Sequence, residues 1–206
     1  MLLSVLLVGC GQTMKDEFMA LDMGKSYPEK QLVLQDFMDV EYVALETNDE
    51  FLTRGHVGDV GAEYIVVTNN YDEGDIFLFD RHTGRGVRKI NHLGKGPGEY
   101  TQVLGLVLDE TNEELFVNDS KKIHVYDLEG GFKRSLDYPE GKQFFNVLDF
   151  DQEHLIAYNI DGLFNDGEER GERTFHTLFS KQDGSITEDI YIPFETINAP
   201  VVNQDG

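Results

Sequence analysis

Short apolar runs punctuated by glycine set the pattern of this chain. Ile76-Phe77-Leu78-Phe79 is apolar at four successive positions before Asp80. A strand there has to be covered on both faces, because one with a wet face would alternate. Arg81-His82-Thr83-Gly84 follows as a loop, then Val87-Arg88-Lys89-Ile90 as a further strand. Gly84 supplies the freedom to take positive φ in that turn. The unit then returns. Tyr64–Thr68 precedes Ile76–Asp80, Leu115–Asp119 precedes Ile123–Asp127, and His154–Asn159 precedes Phe175–Ser180. Each second strand ends in an aromatic and then a polar residue, as Phe79-Asp80, Tyr126-Asp127 and Phe179-Ser180, before a loop reaching Gly84, Gly130 or Gly184. A strand opens each unit, for example Val103–Leu108 and Phe144–Phe150, and another closes it: Val87–Ile90, Phe132–Leu136 and Ile186–Ile192.

Four antiparallel strands repeated at about 45 residues are the period of a β-propeller blade. The pattern therefore predicts an all-β propeller with about three blades, at roughly 55–100, 101–141 and 142–193, and the start of a further one at 194–206 around Pro200-Val201-Val202. A β-sandwich is the alternative, but nothing in it calls for the aromatic–polar–loop–glycine signature to recur. An acidic insertion, Leu163 to Arg173, lengthens the third unit. Upstream, Val40–Glu46 alternates well enough to predict a strand, and residues 11–30 are polar and unpatterned, a tether. Three blades in an arc would leave two apolar sheet faces uncovered. The expectation is then the N-terminal part of a longer propeller, with self-association of two halves as the lesser route to covering those faces.

Charge narrows the partners. The chain has 17 Lys plus Arg against 39 Asp plus Glu, a formal net charge of −22. Such a surface repels phosphate backbones and excludes nucleic acid as a partner. Attraction for calcium would need acidic ligands at loop spacing, which the sequence does not offer. Cys10 is the one cysteine, so neither a disulfide framework nor a cysteine zinc site is expected. Its position carries more meaning. Leu2 to Gly9 is an apolar run ending at Cys10, too short to span a bilayer and of the length of a signal-peptide core. Leu7-Val8-Gly9-Cys10 resembles the lipobox of bacterial lipoproteins, although no Lys or Arg precedes the run. That resemblance implies a signal peptide at 1–10 and a diacylglycerol on the Cys10 thiol. The protein would then sit in the cell envelope, facing the periplasm or the surface, with a lipid anchor as its only membrane contact.

Candidate chemistry concentrates at Gly94-Lys95-Gly96-Pro97-Gly98-Glu99-Tyr100. Lys95 is followed by glycine rather than Ser or Thr, so this is not a phosphate loop, and the third glycine comes one residue early for a dinucleotide fingerprint. Pro97-Gly98 suits the two central positions of a type II turn, making the segment a corner between blades. The competing reading is a ligand-facing loop in which Lys95, Glu99 and Tyr100 hydrogen-bond a polyol or anion. The six histidines are scattered; His124 and His176 hold equivalent places in successive units, a packing position. No Gly-x-Ser-x-Gly elbow or His-Glu-x-x-His occurs, so no catalytic residue, metal or cofactor is assigned.

Leu45-Glu46-Thr47, Phe79-Asp80 with its glycine-ended loop, and the Gly94–Tyr100 corner together resemble the six-bladed β-propeller lipoproteins of gut Bacteroidetes, which are similar to NHL-repeat propellers. The resemblance runs from about Leu32 onward and implies half of a six-bladed ring. Most such proteins have no assigned activity. The expected role is a lipid-anchored binding or scaffold module for an unknown glycan, peptide or protein ligand. The alternative is an enzyme on extracellular polymers with its site in the central channel.

Overall fold

Three consecutive runs of strands each fold into a four-stranded antiparallel sheet. The computed structural model describes residues 22, 24–70, 72–138, 144–159 and 174–191. The first sheet holds β1 (His56–Val60), β2 (Tyr64–Thr68), β3 (Ile76–Asp80) and β4 (Gly86–Ile90) in sequence order. The second holds β5 (Gly105–Asp109), β6 (Glu114–Asp119), β7 (Lys122–Asp127) and β8 (Phe132–Asp137), and the third β9 (Phe144–Asp149), β10 (His154–Asn159), β11 (Thr174–Ser180) and β12 (Ile186–Tyr191). These are three blades of a β-propeller, blades 1 to 3. A 3₁₀ turn, Leu34–Asp36, precedes them in sequence, and the unit carrying the sheets begins at Tyr42.

The repeated signature has a structural cause. Each blade has a register shift where its third strand meets its fourth, at Leu78/Phe79, Val125/Tyr126 and Leu178/Phe179. A shift of that kind bends the strand and strengthens its twist. The polar residue that follows caps the turn. Asp80 Oδ1 accepts from Thr83 N at 2.7 Å, Asp127 Oδ1 from Gly131 N at 2.7 Å, and Ser180 Oγ from Gln182 N at 3.1 Å. Gly84, Gly130 and Gly184 then close the turns at φ of +70°, +89° and +75°, where a Cβ would be strained.

Blade packing buries both faces of the middle strands. Val66, Ile76, Leu78 and Ile90 of blade 1 meet Leu106, Leu108, Leu115 and Val117 of blade 2. The opposite face of blade 2, through Val107, Phe116, Ile123 and Val125, meets Val147, Leu155, Ala157 and Phe179 of blade 3. Polar contacts fix the orientation of one blade on the next. The Glu110 carboxylate accepts from the N–H groups of Ala62, Glu63 and Tyr64 at 2.7–2.9 Å, capping the β1–β2 turn of the neighbouring blade.

Two expectations change. Val40–Glu46 forms no strand, and the other face of blade 1 is not left bare. The chain from Tyr42 to Phe51 lies across it as a strap, with Val43, Leu45 and Phe51 over Ile65, Val67, Phe77 and Phe79. Glu46 ties the strap to the β3–β4 turn, its N–H donating to Gly84 O at 2.7 Å and its carboxylate accepting from Gly86 N at 2.9 Å. These few bonds do not make a ladder. Among the described residues the face is covered by side chains rather than by another sheet. Phe51 anchors the strap, 6 % exposed, with its ring centroid 5.6 Å from that of Phe79. Phe51→Ala should therefore destabilise the fold by about 3–5 kcal/mol, read as a lowered urea midpoint. A change below about 1 kcal/mol would mean that the strap does not cover the face.

Candidate functional site

The glycine-rich corner joins β4 to β5, and its chemistry is turned inward. Glu99 N donates to Gly96 O at 3.1 Å and Gly98 has φ +75°, the geometry of a type II turn. Tyr100 is fully buried. Its hydroxyl donates to Gly74 O at 2.7 Å and accepts from His92 N at 2.9 Å. Burial pushes its pKa up to about 12. The expectation that Tyr100 faces a ligand is thus corrected: its one polar atom is spent holding the β2–β3 loop to the corner. Tyr126 OH donates to Gly98 O at 2.7 Å, and the His92 ring stacks on Tyr126 at 4.9 Å. His92 Nε2 lies 2.8 Å from Gly130 O; a carbonyl only accepts, so that nitrogen carries the proton. Glu99 is exposed, yet its carboxylate closes its own loop by accepting from Gly96 N at 2.7 Å. Lys95 is exposed and makes no bond within the described residues. The structure thus places Lys95 and Glu99 at the surface and Tyr100 in the core, and does not gather the three into one site. Cys10 lies outside the described residues.

His124 is a packing histidine, 4 % exposed, with Nδ1 3.3 Å from Ser135 Oγ and Nε2 3.8 Å from Asp119. Burial holds its pKa below the usual histidine range against the pull of Asp119. His176, its counterpart in blade 3, is half-buried against Tyr158 with ring centroids 5.5 Å apart.

A polar groove lies instead between blades 2 and 3, about 650 Å³ in volume, built from the β5–β6, β9–β10 and β11–β12 turns and from β8. Two ion clusters form its floor. Lys181, which follows β11, reaches into the neighbouring blade with Nζ 2.6 Å from Asp109, and also lies 2.7 Å from Asp149. Asp109 and Asp149 are the last residues of consecutive inner strands. Arg134 makes a two-pronged pair with Glu114 at 2.7 Å on both nitrogens, donates to Lys181 O at 2.6 Å, and shares Glu114 with Lys133 at 2.5 Å. Burial pushes Asp109 and Glu114 up, but the hydrogen bonds from Lys181 and Asn112, and from Arg134 and Lys133, outweigh it and hold both carboxyls below the usual range. Burial likewise pushes Lys181 down, and its two carboxylates outweigh that to leave it raised. Asp109, Glu114 and Lys181 are thus held in their charged forms, each against an opposite charge.

The rim of the groove is different. Gln152, Glu153 and Gln182 are exposed there, and their side chains have no partner among the described residues. His154 lines the groove with Nδ1 2.9 Å from Asp151, so Nδ1–H donates, and Nε2 faces the groove as an acceptor in the neutral ring and a donor in the protonated one. A smaller cleft of about 260 Å³ lies along the inner strands β1, β5 and β9, lined mainly by Val, Leu and Gly, with Asn146 among the few polar side chains. No group of three or more His, Cys, Asp or Glu suited to a metal occurs among the described residues. The sequence reading missed the groove because three separated turns build it. Its one signal was the basic residue just after the aromatic–polar pair, Arg81 and Lys181, in two of the three blades.

The fold and groove define a β-propeller chain with a polar inter-blade cleft. The chain belongs to a family described as a domain of unknown function (DUF4934), whose model matches residues 20–204. It is similar to a solved protein of Bacteroides fragilis described as exported, with TM-score 0.57 and 14 % identity over 78 % of this chain and 44 % of that one. It is also similar to a DUF4221-family protein of Bacteroides vulgatus, with TM-score 0.52 and 12 % identity over 73 % of this chain and 47 % of that one. The chain thus spans less than half the length of these two solved proteins. A search of curated protein sequences finds no match.

If the corner is structural, Gly98→Val should cost about 1–3 kcal/mol, since φ is +75° and a Cβ there would meet the Phe132 ring at 2.7 Å. Lys95→Ala should leave the unfolding midpoint within about 0.5 kcal/mol of the parent. Equal stability of the two variants would sink the assignment.

Proposed function

We propose that this chain is an extracytoplasmic β-propeller binding module, held in the bacterial envelope by a lipid on Cys10, that takes its ligand in the groove between blades 2 and 3. The groove carries the reading: its volume lies within the range of small-ligand sites, and its rim offers unpartnered hydrogen-bonding groups over a rigid, charge-compensated floor. The location is supported by the exported description of the Bacteroides fragilis relative and by the apolar run ending at Gly9-Cys10. A six-bladed ring of the NHL type is the full assembly that the sequence resemblance suggests.

Two experiments bear on this. Ser185→Trp should fill the groove from an exposed position while leaving the thermal midpoint unchanged. On an array of oligosaccharides and short peptides, the parent and Lys95→Ala should give the same bound set, and Ser185→Trp should lose it. Retention of that set by Ser185→Trp would place the ligand elsewhere. Separately, Cys10→Ala expressed in a Bacteroides host should move the protein from the detergent phase to the aqueous phase. Unchanged partitioning, or an unmodified Cys10 in the mature protein by mass spectrometry, would remove the anchor.

A further inference from the structure

We infer that the groove between blades 2 and 3 recognises an uncharged, hydroxyl-rich oligosaccharide and discriminates against acidic sugars and peptides. The inference rests on the groove reading above and adds the class of ligand. It follows from which lining groups are already satisfied and which are not.

The floor has three cations, Lys133, Arg134 and Lys181, and on charge alone would invite an anion. Each of them already faces a carboxylate at 2.5–2.7 Å: Glu114 for the first two, Asp109 and Asp149 for the third. An acidic ligand would compete with these carboxylates for the same cations, and one displaced would be left unpaired, a loss larger than a new ion pair returns. It would also meet Glu153, among the described residues the one charged lining side chain without a partner, in a chain of net charge −22. The field and the pairing act in the same direction.

A peptide fares no better. Peptide sites combine backbone bonding with apolar pockets for alternate side chains. Among the described residues, no Val, Leu, Ile, Met, Phe, Tyr or Trp side chain lines this groove. What it presents is a mixture of donors and acceptors. The amides of Gln152 and Gln182 each offer both, His154 Nε2 can serve as either, and the Glu153 carboxylate can accept from two neighbouring hydroxyls at once. Hydroxyls, which donate and accept, match that set. The floor is locked by its own ion pairs and the turns by their side-chain caps, so the rim groups sit on a fixed base, and preorganisation of that kind limits the cost of binding.

The test is titration calorimetry on the full chain with defined probes: uncharged di- to hexasaccharides of the gluco, manno, xylo and galacto series, trigalacturonic acid as the acidic sugar, and a neutral tripeptide. At least one uncharged oligosaccharide should bind, with affinity changing less than about twofold between 0.05 and 0.5 M NaCl. Gln182→Ala should weaken it by about tenfold with an unchanged thermal midpoint. Trigalacturonic acid and the tripeptide should bind at least about tenfold more weakly. Tighter binding of either, abolished by Ser185→Trp, would overturn the ligand class and leave the groove standing. Binding of an uncharged oligosaccharide that survives Ser185→Trp would overturn the groove itself. Failure of every uncharged probe would overturn this inference.

Discussion

Every part of this structure depends on sheets whose middle strands are apolar on both faces. Val66 and Val67 are adjacent in β2, both fully buried, and their side chains point to opposite sides. A sheet of that kind cannot float on one core. It has to be enclosed, and the chain does so by repeating the sheet so that each blade covers the next. Blade 1 shows how strong the demand is. With no described sheet on its other face, it takes Val43, Leu45 and Phe51 from an extended segment, and Phe77 and Phe79 are as fully buried there as the residues between blades. Gly86 makes the fit possible, because a Cβ at that position would meet the Phe51 ring at 2.6 Å.

Apolar contact is non-directional, so it holds blades together without fixing how they are turned. That task falls to a few polar groups, part-buried or buried. Asp59 Oδ2 accepts from Leu108 N at 2.7 Å, Glu110 caps the β1–β2 turn, and Lys181 crosses from blade 3 to Asp109 in blade 2. Each joins a backbone group or a charge in one blade to the inner strand or turn of its neighbour. Buried ion pairs of this sort are weak contributors to net stability, since desolvation offsets most of their attraction. Their value here is register: with an apolar residue at Lys181, Asp109 would be left facing Asp149 without compensation.

The strands and the repeat were legible in the sequence for the same reason that the fold holds. Two-sided burial writes itself as runs such as Ile76–Phe79, and the turn chemistry as Phe79-Asp80 or Tyr126-Asp127 before a glycine. The strap was misread because Val40–Glu46 alternates like a strand, yet its partner is a sheet face rather than a sheet edge, and alternation does not distinguish the two. The corner misled in another way. Glycines that serve a ligand and glycines that allow close packing look alike in a sequence. At Gly98 the reason is the Phe132 ring, and Tyr100, the residue best suited to stack on a sugar, is the one the corner buries.

The groove was hidden for a reason that follows from repetition itself. A repeat keeps the residues that hold its turns and leaves the others free to differ, so what distinguishes one cleft from the next appears as a departure from the pattern. The residue just after the aromatic–polar pair shows it. Arg81 in blade 1 donates to Gly61 O across its own blade, Leu128 in blade 2 packs on the apolar cluster between blades 1 and 2, and Lys181 in blade 3 holds two carboxylates from consecutive inner strands. The same backbone position thus supports a turn, a core contact and the floor of a cleft. Neither of the first two leaves a charge to be compensated between blades. The third does, and compensation requires Asp109 and Asp149 at the ends of two neighbouring strands, with Arg134 fixing Lys181 O from a third direction. That arrangement gathers the polar side chains of three turns around a fixed base, and it is why a chain of nearly interchangeable blades has a groove of this chemistry between these two.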